Sequence, residues 1–451
     1  MYRNDKEFAE RFLSYTSQYN RIFCSHLMPQ IEYRTDAEFA SEMDAADPLA
    51  TYRDRFHIPL NADRTEVIYF TGNSLGLMPK SARGFVDQEL DDWQMLAVEG
   101  HMHAKHPWLP YHEFLTEQMA RIVGAKPIET VVMNSLTVNL HLLLVSFFKP
   151  SGERQKVVIE KGAFPSDQYA IASQIRCHGL DPTETLIELT PRNGESTLRT
   201  DDIVQTIESN GDSIATVLLG GVNYYSGQAF DMNAITEAGH RVGAIVGFDL
   251  AHAVGNLELK MHDWDVDFAV WCSYKYLNGG PGAVAGAYVN ERFARSFDLC
   301  RLAGWWGHDK ESRFLMGPEF HPIPGAEGWQ ISNPPILQMA ALRASLDIFD
   351  EVGMPKLREK SEKLTGYLEF LIDQIGDGRI SMATPRDPAQ RGCQLSIRVR
   401  GGDRSLHKRI VSNGVSADWR EPDVIRVTPV PLYNKYAEVY RFAEILKNSL
   451  A

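Results

Sequence analysis

IATVLLGGVNYYSGQAFDMNAITEAGHRVGAIVGFDL, residues 214–250, decides the fold class. It opens on a β-branched apolar run, IATVLLGGV (214–222). A Gly-containing loop follows, then Asp231 as a helix N-cap, then MNAITEAGHRVG at helical spacing. AIVGFDL (244–250) returns as a strand. Strand, helix, strand in this order is a βαβ crossover, the unit that joins parallel strands. Outward from it lie VIYF (67–70), VVIEKG (157–162), FAVWCS (268–273) and AVAGAYV (283–289). Each is short, apolar and bounded by Gly, Pro or Asp, and the runs alternate with helical stretches. Such runs predict an α/β fold whose mostly parallel sheet is covered on both faces. The alternation ends near residue 335. Residues 336–376 read as one or two long helices, and QLSIRVR (394–400) and VIRVTPV (424–430) as strands of a smaller α+β part. The expected organisation is an N-terminal helical segment at 1–64, a large ligand-binding domain at 65–340 and a small domain at 341–451. Nothing in the sequence says on which body the first segment packs.

Composition narrows the function classes. The chain has 451 residues, 44% hydrophobic and 23% charged. That is ordinary for a globular protein and excludes disordered and fibrous classes. The balance of 46 Lys+Arg against 59 Asp+Glu gives −13, opposite in sign to a nucleic-acid binder. Five scattered cysteines without a CxxC pair argue against a disulfide framework or a cysteine metal site, and for reduced thiols in the cytoplasm. The charged start MYRNDKEFAERF has no apolar signal core, and no apolar run reaches about 18 residues, so no membrane role is expected.

In open α/β sheets, ligands sit beyond the carboxyl ends of the strands. After AIVGF comes Asp249, then His252. After FAVWC come Tyr274, Lys275 and the loop YLNGGPG. A carboxylate and a lysine ending nearby strands face one crevice. Lysine amines bind carbonyl compounds covalently, pyridoxal 5'-phosphate (PLP) above all. PLP used as an electron sink needs an acid at its ring nitrogen, which Asp249 suits. Its phosphate needs donors, which the helix opened by Ser135, Leu136 and Thr137 supplies. Phe164, in the loop AFPSD, offers an aromatic face. Singly, each residue has a plainer reading: Asp249 a turn cap, Lys275 a solvated charge, His252 and Phe164 core, Ser135 and Thr137 caps. The spacing of the set, in consecutive strands, favours a PLP site.

Several strings carry a resemblance: TGNSLGLMPK (71–80), NSLTVNLHLLLVSFFKP (134–150), KGAFPSDQYA (161–170), GVNYYSGQAFD (221–231), VGFDLAHAVGN (246–256), DFAVWCSYKYLNGGPG (267–282), GWWGH (304–308), ISNPPIL (331–337) and RVTPVPLYN (426–434). Together they resemble kynureninase, L-kynurenine hydrolase, of the aminotransferase class V group. The resemblance implies the aspartate aminotransferase-like PLP fold type I and a homodimer. It implies hydrolytic Cβ–Cγ cleavage of L-kynurenine or 3-hydroxy-L-kynurenine to anthranilate or 3-hydroxyanthranilate plus L-alanine, in tryptophan catabolism and NAD biosynthesis. It implies that Lys275 carries PLP, Asp249 binds the pyridine nitrogen, His252 sits beside the ring, and Phe164 stacks on it with Pro165, Ser166 and Asp167 in the same loop. Leu136, Thr137, Tyr274 and Trp305 would hold the phosphate, Trp305 from the other subunit. Asn333 and His101 would lie near the substrate's aryl ring, and Arg426 would bind its α-carboxylate. No metal is implied.

Some readings stay open at this stage. Tyr274 is a proton donor or a plain phosphate ligand. His101, with His103 and His106, forms a substrate lid, a surface loop or a metal site. Arg426 is a clamp or a surface arginine. Some members of the family carry Ser where this chain has Gly220, so water or a neighbour is expected to supply that contact. The competing readings are another class V enzyme, a cysteine desulfurase or aminotransferase, and a non-catalytic scaffold. A desulfurase needs a cysteine on a mobile loop, and the late Cys393 sits against a strand. A scaffold would not need Lys275, Asp249 and Arg426 together.

Overall fold

The computed structural model describes residues 31–450. Its large sheet has seven strands: β2 (Thr130–Val132), β3 (Lys156–Glu160), β4 (Leu186–Leu189), β5 (Ile214–Gly220), β6 (Ile245–Asp249), β7 (Phe268–Trp271) and β8 (Gly286–Val289). They lie in the order β2-β8-β7-β6-β5-β3-β4. β7, β6, β5, β3 and β4 run parallel, β8 is reversed between β7 and β2, and the edge strand β2 runs with the main set. The sequence shows why. Along β5, Ile214, Val217 and Leu219 enter one core, and Ala215 and Leu218 enter another across the sheet. β7 repeats this, with Ala269 and Trp271 on one side and Phe268 and Val270 on the other. A strand buried on both faces reads as an unbroken apolar run. The βαβ unit is present as expected. Asp231 caps the helix Met232–Arg241, accepting the Ala234 N–H at 3.0 Å.

The small domain holds a four-stranded antiparallel sheet, β9 (Ile380–Met382), β10 (Leu395–Val399), β12 (Asp418–Arg420) and β13 (Val424–Val427). The two long helices are Ile336–Val352 and Met354–Ile375, broken where Gly353 takes φ +79° ahead of Pro355. Alternation on the sheet sends Leu395, Ile397, Ile425 and Val427 into a core with Leu364, Leu368, Val439 and Phe442. Ser396 and Arg426, directly opposite each other in register, therefore take the other face.

VIYF departs from expectation. Only Ile68–Tyr69, β1, is strand, and it pairs in parallel with β11 (Val415–Ser416) of the C-terminal part, outside the large sheet. Periodicity marks a strand without naming its partner. The early segment also joins the small domain. Phe39 and Ala40 enter that domain's core. Asp44 caps the last helix, accepting the Tyr436 and Ala437 N–H groups at 2.7 and 3.1 Å. Asp47 pairs with the buried Lys360 at 2.7 Å. The part of the 1–64 segment before residue 31 lies outside the described residues.

Candidate active site

The strand order reverses between β3 and β5. β3 leads outward to β4 on one side, and β5 leads to β6 on the other. Such a switch point opens a crevice at the strands' carboxyl ends. A cavity lies there, lined by the strand-end residues Glu160, Gly220 and Asp249. Tyr274 and Lys275 reach it from the turn after β7, Leu136 and Thr137 from the start of the helix Leu136–Phe147, and Phe164, Ser166 and Asp167 from the start of the helix Pro165–Cys177. The lysine turn is built by close packing. Gly76, in TGNSLG, donates its N–H to the Tyr274 carbonyl at 2.8 Å. A Cβ at Gly76 would stand 2.3 Å from the Lys275 carbonyl oxygen, so only glycine allows this approach.

Lys275 Nζ lies 3.0 Å from His252 Nε2. Burial, then the positive charges of Lys275 and Arg426, hold His252 well below the usual histidine range. It is therefore a neutral imidazole that accepts from the lysine ammonium. Phe164 is 46% exposed, with its ring centre 5.9 Å from the same amine. On the far side stand two carboxyls. Burial raises both Asp249 and Asp167, and the neighbouring negative Asp249 raises Asp167 further. Asp249 is relieved by the Asp167 O–H, by the Ala251 N–H at 2.8 Å and by Lys275. It is the member of the pair poised to carry the charge. Thr137 and Ser166 hydroxyls meet at 3.2 Å by the two helix starts.

These residues fit PLP. An amine for the aldehyde, an acid for the ring nitrogen, an aromatic face, and hydroxyls with helix-start N–H groups for the phosphate surround one space. Among the described residues, His252 Nδ1 and Asp167 Oδ1 are buried without a hydrogen-bond partner. Buried polar groups are rarely left so, and a polar ligand in the cavity would complete them.

Pro165 starts its helix but is not among the lining residues. Arg426 is 1% exposed, which rules out the surface reading. Its guanidinium bonds the Asp418 carboxylate and the Tyr224 carbonyl, and its Nε is unpartnered among the described residues. Trp305, Asn333 and His101 do not line the cavity of their own chain. Trp305 is 41% exposed and donates its Nε1–H to the Arg313 carbonyl at 3.1 Å. Asn333 is exposed. His101 holds the Val98 carbonyl at 3.0 Å and packs edge-on against Trp108. His106 faces the Arg343 guanidinium, which does not suit a metal ligand. His112, Glu113 and Glu327 do come together, and the Lys310 ammonium lies against both carboxylates at 2.9 and 2.7 Å.

The sequence reading missed Glu160, Asn223 and Tyr224 as lining residues. A signal existed for the first: Glu160 ends the run VVIE as Asp249 ends AIVGFD. Glu160 also packs against Gly220. Its Oε1 accepts the Gly220 N–H at 2.9 Å and lies 2.9 Å from where a Cβ would stand. Cys393 is buried, and burial pushes its thiol up to about 12, which does not suit a swinging nucleophile.

Among solved structures, the apo cysteine desulfurase of Thermococcus onnurineus NA1 superposes with a TM-score of 0.70 at 17% identity, covering 85% of this chain and 94% of that one. The cysteine desulfurase CsdA of Escherichia coli gives 0.72 at 14%, covering 89% and 98%. At these identities the likeness shows the fold alone. The family description "Kynureninase C-terminal domain" matches residues 357–446. The kynureninase of Koribacter versatilis is 61% identical over 92% of this chain and 98% of its own length. That of Myxococcus xanthus is 58% identical over 92% and 97%. Identity at this level over 92% of the chain means that the chain belongs to the kynureninase family.

Proposed function

We infer that the chain catalyses hydrolytic Cβ–Cγ cleavage of L-kynurenine and 3-hydroxy-L-kynurenine, releasing anthranilate or 3-hydroxyanthranilate and L-alanine, with PLP as cofactor. The observation that carries this is the 61% identity to a kynureninase over 92% of the chain. Incubation of the PLP-loaded protein with kynurenine should yield anthranilate and alanine in equal amounts. Sulfide release from cysteine, with kynurenine untouched, would favour the desulfurase reading.

Bound PLP supplies an electron sink for charge developing on the substrate's α-carbon. The chain supplies the rest. Lys275 takes the Cα proton and returns it, with neutral His252 holding its amine in place. Asp249 keeps a negative charge beside the ring nitrogen. Burial keeps the Tyr274 phenol protonated, so it is a donor able to hand a proton to the β-carbon that remains after cleavage. Water adds at the γ-carbonyl, the Cβ–Cγ bond breaks, the aryl part leaves as a carboxylic acid and the β-carbon takes a proton.

Arg426 is the anchor for the α-carboxylate. Its free Nε and its buried setting support this, because a fork of donors fits a carboxylate where a point-charge ammonium does not. Arg426→Lys should raise KM for kynurenine about 30-fold, the equivalent of about 2 kcal/mol for charge-assisted hydrogen bonds. Cofactor absorbance should be unchanged. An unaltered KM would remove Arg426 from the substrate site.

We place the working unit as a cytoplasmic homodimer. No helix among the described residues is long and apolar enough to cross a membrane. Trp305 packs on Phe314, and the adjoining Leu315 and Met316 are 79% and 74% exposed, an apolar surface that suits a second copy. Trp305 and Asn333 would then serve the partner's cavity, Trp305 at the phosphate and Asn333 near the aryl ring. His101→Ala and Asn333→Ala should shift the ratio of kcat/KM for 3-hydroxykynurenine to that for kynurenine, since a buried hydroxyl without a partner costs about 1–3 kcal/mol. A ratio unchanged in both variants would assign the aryl pocket to other residues.

A further inference from the structure

Arg426 belongs to the small domain, yet one of its bonds is made to the large one. Its Nη1 donates to the carbonyl of Tyr224, in the turn that follows β5. That turn is held from inside by Asn223. The Asn223 Oδ1 accepts the N–H groups of Tyr225 and Ser226 at 3.0 and 2.8 Å, together with the Ser226 hydroxyl at 3.1 Å. Its Nδ2 donates to Glu160 Oε2 at 2.6 Å. Glu160 is 4% exposed, and its other oxygen accepts the Gly220 N–H at 2.9 Å. The carboxylate thus pins both ends of the 220–223 stretch to the end of β3.

What the pinned turn presents is a row of carbonyls facing the small-domain sheet. The Tyr224 carbonyl also accepts Gln394 Nε2 at 3.2 Å. The Tyr225 carbonyl accepts the Ser396 hydroxyl at 2.6 Å, and the Ser226 carbonyl accepts the Thr384 hydroxyl at 2.5 Å. Ser396 stands directly across from Arg426 in the β10–β13 pair. Arg426 is therefore gripped by Asp418 within its own sheet and by a carbonyl whose place is set from the cavity floor. Two fixed acceptors leave the buried guanidinium little rotational freedom and fix the direction of its remaining donors, Nε–H among them.

We propose that Glu160 and Asn223 are positioning residues for Arg426, acting through the 223–226 turn and tying the cofactor cavity to the carboxylate anchor. The proposal rests on the reading of Arg426 as that anchor. Glu160 holds the turn by accepting two N–H groups. A glutamine there keeps the shape but offers a single acceptor oxygen and turns an amide N–H toward a donor, so one of the two bonds is lost. The turn carbonyl then drifts, and the guanidinium with it. The larger consequence falls on binding of the amino-acid carboxylate.

The test uses the PLP-loaded enzyme with kynurenine. Glu160→Gln should raise KM about ten-fold, the size of one good hydrogen bond, a change several times larger than any in kcat or cofactor affinity, which the same cavity-lining residue also touches. Asn223→Ser should do the same: a serine hydroxyl still caps the turn but does not reach Glu160. Combined with Arg426→Lys, Glu160→Gln should add less than about two-fold to KM, because the group it positions is already altered. KM effects that multiply, an unchanged KM in both single variants, or a rise in KM that comes with lost cofactor would each overturn the relay. If Arg426→Lys alone leaves KM unchanged, the anchor reading fails, and the relay with it. A raised KM there, with no effect at Glu160 or Asn223, removes the relay alone.

Discussion

Lys275→Ala is expected to abolish turnover and the near-visible absorbance of the lysine-bound cofactor together. The lysine is the one amine lining the cavity, set between His252 at 3.0 Å and the Phe164 face. In the proposed mechanism it is both the covalent attachment and the acid–base group at the substrate's α-carbon. A positioned acid–base group alone contributes about 10²–10⁴-fold. Loss of both roles should therefore take activity down by at least about 10⁴-fold. The fold should survive, because the lysine turn is set by the backbone contact of Gly76 with Tyr274 and not by the amine. Absorbance and borohydride trapping check the assignment. A variant that still traps PLP covalently on the protein would move the attachment to another residue.

The second large effect is expected at Asp249. Asp249→Asn should still bind PLP, since Phe164, the helix starts and Lys275 are untouched, but turnover should fall by about 100-fold or more. An amide supplies no negative charge to keep the ring nitrogen protonated. Each pKa unit of lost differential stabilisation is about 1.4 kcal/mol, a factor of about ten, and a buried charge is worth more than one such unit. Asp249 is 8% exposed, at the end of a central strand, so water cannot take its place. The measurement is kcat alongside the PLP dissociation constant. Near-native kcat in this variant would show that the electron sink does not depend on this charge.

These two residues were legible because their surroundings are local. A strand-end aspartate, and a lysine followed at once by a Gly/Pro loop, are placed by the few residues beside them. The βαβ unit at 214–250 and the caps at Asp231 and Ser135 follow from neighbours in the chain for the same reason. Arg426 was half legible. Alternation put it opposite Ile425 and Val427, but one strand cannot say whether that opposite face meets water or another domain.

The sequence by itself determined the α/β class and the reactive groups at the strand ends, because apolar period, turn residues and strand-end side chains are written at short range. The tertiary structure decided which distant segments meet. It placed the β1 strand against β11 and not in the large sheet, since a two-residue strand carries too little pattern to select a partner. It made Asp44 a helix cap and Asp47 half of a buried ion pair, because a helix dipole and a lysine arrive from almost four hundred and just over three hundred residues away. It brought Glu160 beside Gly220 and Asn223, sixty residues on, because β3 and β5 are neighbours only once β4 has been sent to the edge. Long-range pairing of this kind depends on how buried faces match across the whole core, and no local pattern encodes it.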